Sequence, residues 1–114
     1  MTDILLVLTT VAARADADRL ARRMVEQRLA ACAQVSAIDS VYRWQGAVQA
    51  EGEFRVLFKT TAARWPALAQ ALRAGHPYEL PAIVAVPCCE ALPEFADWVR
   101  AECAAGEGAG QPSV

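Results

Sequence analysis

Residues 34–60, QVSAIDSVYRWQGAVQAEGEFRVLFKT, contain two β-rich runs separated by a short turn. The runs are Gln34–Trp44 and Val48–Thr60, and the turn is Gln45-Gly46-Ala47. Apolar side chains recur at every second position near the end of the second run, which is the period of a strand with one buried face. Both runs are longer than a typical strand, so we expect a long β-hairpin that extends in part beyond the rest of the domain.

A strand and a helix are predicted on each side of this hairpin. Ile4–Thr10 is a continuous apolar run typical of a central strand. Apolar residues at helical spacing follow it, and Asp16 is the predicted N-cap of that first helix. After the hairpin, a second amphipathic helix has Pro66 near its first turn and Gly75 as its C′ residue. Ile83–Val86 then predicts a fourth strand.

The resulting order is β-α-β-β-α-β, followed by a third helix that Pro93 opens. This order predicts a ferredoxin-like α+β fold with an antiparallel sheet, a long hairpin between the second and third strands, and an extra C-terminal helix. We expect one domain over residues 1–105. Residues 106–114 have no periodicity and are predicted to form a disordered tail.

Helices on one side of a four-stranded sheet leave the other sheet face bare. Hydrophobic residues make up 55% of this chain of 114 residues, which is a high share for a small monomer. Self-association would use that surplus, because a closed ring covers the bare face and removes open sheet edges. We therefore predict a homo-oligomer.

Several classes of function are disfavoured by composition. A net charge of −2 without a basic run argues against a nucleic-acid partner. No uncharged run approaches the roughly 20 residues of a membrane span, and Asp3 stands where an export signal carries basic residues. We therefore expect no membrane partner and a cytoplasmic location. The four cysteines lack zinc-site spacing, which indicates reduced thiols.

Enzyme signatures are also missing from the sequence. It contains no phosphate-binding glycine loop and no nucleophile elbow, so we expect no catalytic residues and no organic cofactor. A cysteine nucleophile (Cys32 or Cys88) with His76 as its base is the enzymatic alternative.

Four segments together, over residues 4–103, resemble the CutA family of divalent-cation tolerance proteins. They are Leu29-Ala30-Ala31-Cys32, Tyr42-Arg43-Trp44-Gln45-Gly46, Glu51 and Glu53 leading into Lys59-Thr60-Thr61, and His76-Pro77-Tyr78-Glu79-Leu80-Pro81. The resemblance implies a cytoplasmic homotrimer with hairpins packed across subunit boundaries, linked to tolerance of copper or another divalent ion. With no enzyme signature in the sequence, the first hypothesis is a noncatalytic trimer. The architecture also resembles that of the trimeric PII signalling proteins. The alternative is therefore a regulatory trimer that binds a small ligand between subunits and signals to a partner protein.

The candidate metal ligands are one imidazole and three thiols: His76, Cys32, Cys88 and Cys89. Copper-binding relatives carry a cysteine near the end of the first strand and a histidine pair before the Pro-Tyr step. Thr9 and Gly75 stand at those places here. A threefold axis would turn one thiol per chain into a full site. In the alternative, the histidine makes local hydrogen bonds and the thiols are inert core residues.

A second set of residues is predicted at the subunit interface or in the cleft: Tyr42, Trp44, Glu51, Glu53, Lys59 and Tyr78. The aromatic side chains would anchor a neighbouring subunit or stack on a ligand. The charged side chains would fix the register between subunits, or the two carboxylates would hold a divalent cation.

Overall fold

The computed structural model describes residues 2–104. Its elements, in chain order, are β1 (Ile4–Val11), α1 (Arg14–Glu26), β2 (Cys32–Trp44), β3 (Ala47–Thr61), α2 (Trp65–Gly75), β4 (Ile83–Pro87) and α3 (Pro93–Glu102). The four strands form one antiparallel sheet in the order β2-β3-β1-β4. The predicted α+β class and element order are confirmed. The predicted domain limits of 1–105 stay a prediction, and the tail predicted over 106–114 lies outside the described residues.

The predicted N-cap of α1 is wrong by three residues. The helix begins at Arg14, and the extended Ala13 is its N-cap. Asp16 lies inside the first turn, where its backbone N–H already donates to the carbonyl of Ala13. Its carboxylate accepts a hydrogen bond from Arg19 at 3.2 Å instead of capping the helix. An acidic group in the first turn still favours the helix through the helix dipole.

The main core lies between one face of the sheet and the helices α1 and α2. The side chains that fill it are fully or almost fully buried: Val7, Val11, Leu20, Met24, Val56, Phe58, Leu68 and Leu72. Burial of each large apolar side chain contributes roughly 1.5–3 kcal/mol relative to its exposure. This core fixes the position of the sheet that carries the candidate site.

Only one end of the opposite sheet face is covered, by α3. Ile4 packs there against Val99 and Cys103, whose thiol is buried. Arg100 also holds the helix in place, because its guanidinium donates to both carboxylate oxygens of Asp3 at 2.8–3.1 Å. Among residues 2–104, no helix combines the length and apolar character that a membrane crossing requires.

The middle of that face is apolar and is covered by no helix within residues 2–104, and it leads to Thr10 and Arg55 on the side of the hairpin. In the strand register, Leu6 pairs with Val86, and Leu8 pairs with both Leu57 and Val84, so these side chains share the face. Val84 is 53% exposed and Val86 is 46% exposed. We call these five residues the bare apolar face.

The hairpin of β2 and β3 extends past the end of β1. The last β1–β3 pair is Val11 with Phe54, so within the described part of the chain residues 47–53 of β3 pair with β2 alone. Gln45 and Gly46 form a two-residue turn with φ angles of 52° and 80°. Both φ angles lie in the left-handed region, which the twist of a tight hairpin requires. Glycine adopts this conformation without a steric penalty.

We expect Leu20→Ala to lower the free energy of unfolding by about 2–5 kcal/mol, because Leu20 is fully buried between α1 and the sheet. Urea denaturation at fixed chain concentration measures the change. Arg22→Ala, on the exposed side of the same helix, is the matched control and should change the free energy by under about 0.5 kcal/mol. An equal loss in both variants would contradict the assignment of the core.

Candidate functional site

A cleft of about 910 Å³ lies under the overhanging part of the hairpin. Its second wall is the connection from α2 to β4, residues 77–82, which passes β3 where β1 has already ended. Five of the six residues predicted at an interface or cleft line it: Tyr42, Trp44, Glu51, Glu53 and Tyr78. The structure thus brings together residues that are up to 36 positions apart in the chain.

The loop is attached to the end of β1 through His76. The backbone N–H of Tyr78 donates to Nδ1 of the imidazole at 3.1 Å, so this nitrogen carries no proton. The proton of the neutral ring is therefore on Nε2, which lies 3.0 Å from both the carbonyl oxygen of Thr10 and the hydroxyl of Thr9. Burial lowers the pKa of His76 below its usual 6.5, although the carbonyl of Thr10 opposes the shift.

Two tyrosine–glutamate pairs hold the cleft walls. The hydroxyl of Tyr78 donates to Glu53 at 2.7 Å and joins the loop to β3. The hydroxyl of Tyr42 donates to Glu51, also at 2.7 Å, and joins β2 to β3. Burial and the bond to Glu53 raise the pKa of Tyr78, and the bond to Glu51 is the main cause of the raised pKa of Tyr42. Both hydroxyls therefore stay protonated at neutral pH.

The lining of the cleft is aromatic and acidic. Asp39 and Glu79 add two carboxylates to those of Glu51 and Glu53, and no lysine or arginine is among the lining residues. Asp39 and Glu79 were not among the predicted site residues. Asp39 could have been noticed, because aspartate is uncommon inside strands.

Lys59 lies away from the cleft. It is near the other end of β3, where its ammonium group is 5.5 Å from the centroid of the Phe95 ring. Its cross-strand partner is Cys32, which is half-buried beside α1. Lys59 and Cys32 therefore belong to the end of the sheet that α1 and α3 cover.

The other candidate thiols are also remote from His76. Cys88 and Cys89 follow β4, and the backbone of Cys88 pairs with Ile4 at the start of β1, whereas His76 contacts Thr9 and Thr10 near its end. Cys88 is half-buried and Cys89 is exposed. Within residues 2–104, no group of three or more His, Cys, Asp or Glu side chains is placed to hold a metal ion.

The surroundings of His76 do not fit a metal ligand within one chain. A metal on Nε2 would move the ring proton to Nδ1, where it would face the N–H of Tyr78 and leave two donors opposed. The hydroxyl of Thr9 already lies 3.0 Å from Nε2, and Gly75 supplies no side chain. The structure instead fits the alternative in which the histidine makes local hydrogen bonds.

We expect the protein to lose stability as the pH falls below about 6.5, the usual pKa of histidine. Because the pKa of His76 is lower in the folded chain than in the unfolded chain, a fall in pH protonates this histidine in the unfolded chain first. The contribution of His76 is complete above that pH and is lost as the pH falls towards the folded pKa. Melting temperatures at about pH 8 and pH 5.5 measure this loss. His76→Asn keeps an acceptor and a donor but does not titrate, so it should show a smaller loss; an identical loss would exclude His76 as its source.

The fold matches solved structures of known proteins. CutA from Synechococcus elongatus PCC7942 superimposes with a TM-score of 0.88 at 39% identity, covering 91% of this chain and 93% of that one. The protein from Archaeoglobus fulgidus superimposes with a TM-score of 0.85 at 31% identity, covering 88% and 98%. That protein is named a periplasmic divalent cation tolerance protein. The cytoplasmic location predicted from the sequence is contradicted by this neighbour and is withdrawn, since uncharged runs and the position of Asp3 are weak signals of location.

The sequence comparisons cover almost the whole described chain. The family model CutA1 divalent ion tolerance protein matches residues 5–102. The divalent-cation tolerance protein CutA of Thermus thermophilus is 44% identical over 95 residues, which are 82% of this chain and 92% of that protein. The chain therefore belongs to the CutA family of divalent-cation tolerance proteins.

Proposed function

We propose that this protein acts in divalent-cation tolerance as a noncatalytic homotrimer. The observation that carries the trimer is the bare apolar face, on which Val84 and Val86 are about half exposed in the isolated chain. Contiguous exposed apolar surface of this kind marks a site of association. Covering it would add to the apolar burial that the small core of one chain provides.

The sheet edges favour a ring over a simple pair. The edges are β2 on one side and β4 on the other, and they differ in length and sequence. A contact that joins the β2 edge of one copy to the β4 edge of the next is heterologous, and such contacts form a closed ring when the rotation allows it. A ring also leaves no strand edge open to aggregation.

The absence of catalysis is supported by the surroundings of the one histidine. The hydroxyl closest to His76 belongs to Thr9, which is only 1% exposed and out of reach of a substrate. Cys32 and Cys88, the thiols considered as nucleophiles, lie near the opposite end of β1. A dyad of the nucleophile–base type is therefore not assembled within residues 2–104.

In such a trimer, copper or another divalent ion would bind at a site shared between copies of the chain. A threefold axis multiplies each exposed thiol by three, and Cys89 is exposed at the end of β4. No single chain has to complete the ligand set in such a site.

A second candidate function is a regulatory trimer of the PII-like kind, which binds a small ligand and signals to a partner protein. The cleft of about 910 Å³ favours it, because its size and mixed aromatic and polar lining are those of small-molecule sites.

We expect Val84→Glu to convert a trimer into monomers that remain folded. The side chain is half exposed in one chain, so a carboxylate there stays hydrated in the monomer but would be buried in the assembly. Sedimentation velocity at micromolar concentration and circular dichroism are the measurements. Gln70→Glu, on the exposed surface of α2, adds the same charge and should leave the trimer intact. A wild-type protein that sediments as a monomer would refute the proposal.

For a shared metal site, we expect copper titration to saturate at about one ion per trimer. Cys88→Ala/Cys89→Ala should abolish this binding, and so should Val84→Glu, because the dissociated chain lacks the neighbouring ligands. Cys103→Ala removes a buried thiol and is the matched control. Saturation at one ion per chain, retained after dissociation, would contradict a shared site.

A further inference from the structure

We propose that α3 is a detachable cover, which opens while the rest of the chain stays folded and thereby exposes the thiols of Cys88 and Cys103. Cys88 is one of the ligands in the shared metal site proposed above, so this inference rests on that proposed function and names how access to its site is regulated. The observation that carries it is a short helix with a small core of its own, seated over both thiols.

The core under α3 is separate from the main core. The main core joins one sheet face to α1 and α2, whereas the buried cluster under α3 includes Ile4 and Ala31 at the end of the opposite face. Within residues 2–104, the two clusters of buried side chains have no member in common. α3 can therefore leave the sheet while the main core stays packed, which is the condition for opening as a separate unit.

The seat of α3 buries only small side chains from the helix. Ala96, Val99 and the C-cap residue Cys103 are at most 3% exposed. The two aromatic residues of the helix, Phe95 and Trp98, are 37% and 43% exposed, and their ring centroids lie 5.8 Å apart. Burial of apolar area is the main force that holds a helix on a sheet, so the opening of α3 sacrifices little of it.

α3 is also short and weakly capped at its start. It has 10 residues, and its N-cap is Leu92, whose side chain cannot accept a hydrogen bond from the first turn. Helices shorter than about 12–15 residues are marginal in water when they lack packing partners. Once it leaves its seat, α3 therefore unfolds, and the gain in conformational entropy favours the open state.

Two polar contacts hold the cover closed. Arg100 donates to the carboxylate of Asp3 at 2.8–3.1 Å, but both side chains are about half exposed, and solvent weakens such an ion pair. The guanidinium of Arg28 donates to the carbonyl of Ala101 at 2.9 Å. Arg28 has a φ angle of 61°, a left-handed conformation that is strained in arginine. Each contact can be removed without a change to the main core.

The opening of α3 uncovers the two thiols together. Cys103 is 2% exposed at the end of the helix, and Cys88 is half-buried against the same cluster. The backbone N–H of Cys88 donates to the carbonyl of Ile4 at 3.0 Å, so Cys88 stays on the sheet when the helix leaves. The hinge is therefore the segment between Cys88 and Pro93, which opens α3.

Alkylation by iodoacetamide without metal tests the proposal on the full chain in its assembled state. Peptide mass spectrometry measures the rate at each cysteine, and Cys89, which is exposed, reports the rate of an open thiol. We expect Cys103 to react more slowly than Cys89 but without global unfolding. The equilibrium for its exposure should depend on urea less than about half as steeply as global unfolding, because α3 is a small part of the chain.

Asp3→Asn removes the first contact and should speed the alkylation of Cys103 about two- to fivefold. The alkylation of half-buried Cys88 should rise to a smaller extent, and that of Cys89 should not change. Asp18→Asn is the matched control, because it breaks the exposed ion pair with Arg14 on α1. It should leave the rate at Cys103 within about 1.5-fold.

Arg28→Gly removes the second contact and should speed the alkylation of Cys103 about two- to tenfold. Glycine adopts the left-handed backbone conformation of this position without strain, so the end of α1 is preserved. Circular dichroism in urea checks that global stability is retained in both variants.

The proposal is overturned if Cys103 reacts only through global unfolding, or if neither variant changes its rate. A rate that falls as the chain concentration rises would also overturn it, because opening would then require dissociation of the copies. A detachable α3 in a protein that binds no copper would refute the shared metal site alone. Copper binding by a protein whose Cys103 stays protected until global unfolding would refute the cover alone.

Discussion

The short length of β1 is the constraint on which the candidate site depends. β1 has 8 residues, whereas its neighbour β3 has 15 and β2 has 13. The sheet therefore loses one of its two inner strands halfway along the hairpin, and the overhanging segment must find another partner. Part of that role falls to the loop after α2, and the space between loop and hairpin is the cleft. A longer β1 would pair with residues 47–53 and fill this space with backbone.

A chain of side-chain hydrogen bonds replaces the missing strand. It runs from the carbonyl of Thr10 through the ring of His76 to the backbone of Tyr78, and from the hydroxyl of Tyr78 to Glu53. A typical net hydrogen bond contributes about 1 kcal/mol, and one to a charged group about 1.5–3 kcal/mol. Protonation of His76 removes the acceptor for the N–H of Tyr78, so the middle of the chain opens while both ends remain. The cleft is thus held by bonds that are individually modest and partly sensitive to pH.

Much of the fold could be predicted from the sequence because its signals are local. The alternation near Phe58 and the helical spacing around Leu20 each reflect contacts with one neighbouring layer, and both residues are fully buried. Cap positions are less certain, since several residues near a helix start can accept the same N–H; Asp16 was misplaced for this reason. The aromatic and acidic residues of the hairpin were predicted as a set from family resemblance. Tyr78 was predicted with them, but its bond to Glu53 depends on how α2 packs, and no local pattern records that contact.

Local patterns also do not show which distant residues meet, so the thiols and the histidine could be considered together as metal ligands in the sequence. The structure places Cys32 and Cys88 near one end of β1 and His76 near the other. Next to the histidine, the side chains of Arg19 and Arg23 lie 3.6 and 3.8 Å from where a Cβ on Gly75 would stand. These two cationic side chains would oppose a metal ion at that point by direct repulsion. On the other side of Tyr78, four carboxylates create the opposite potential. Within one chain, the charges around the histidine therefore do not favour a metal ion.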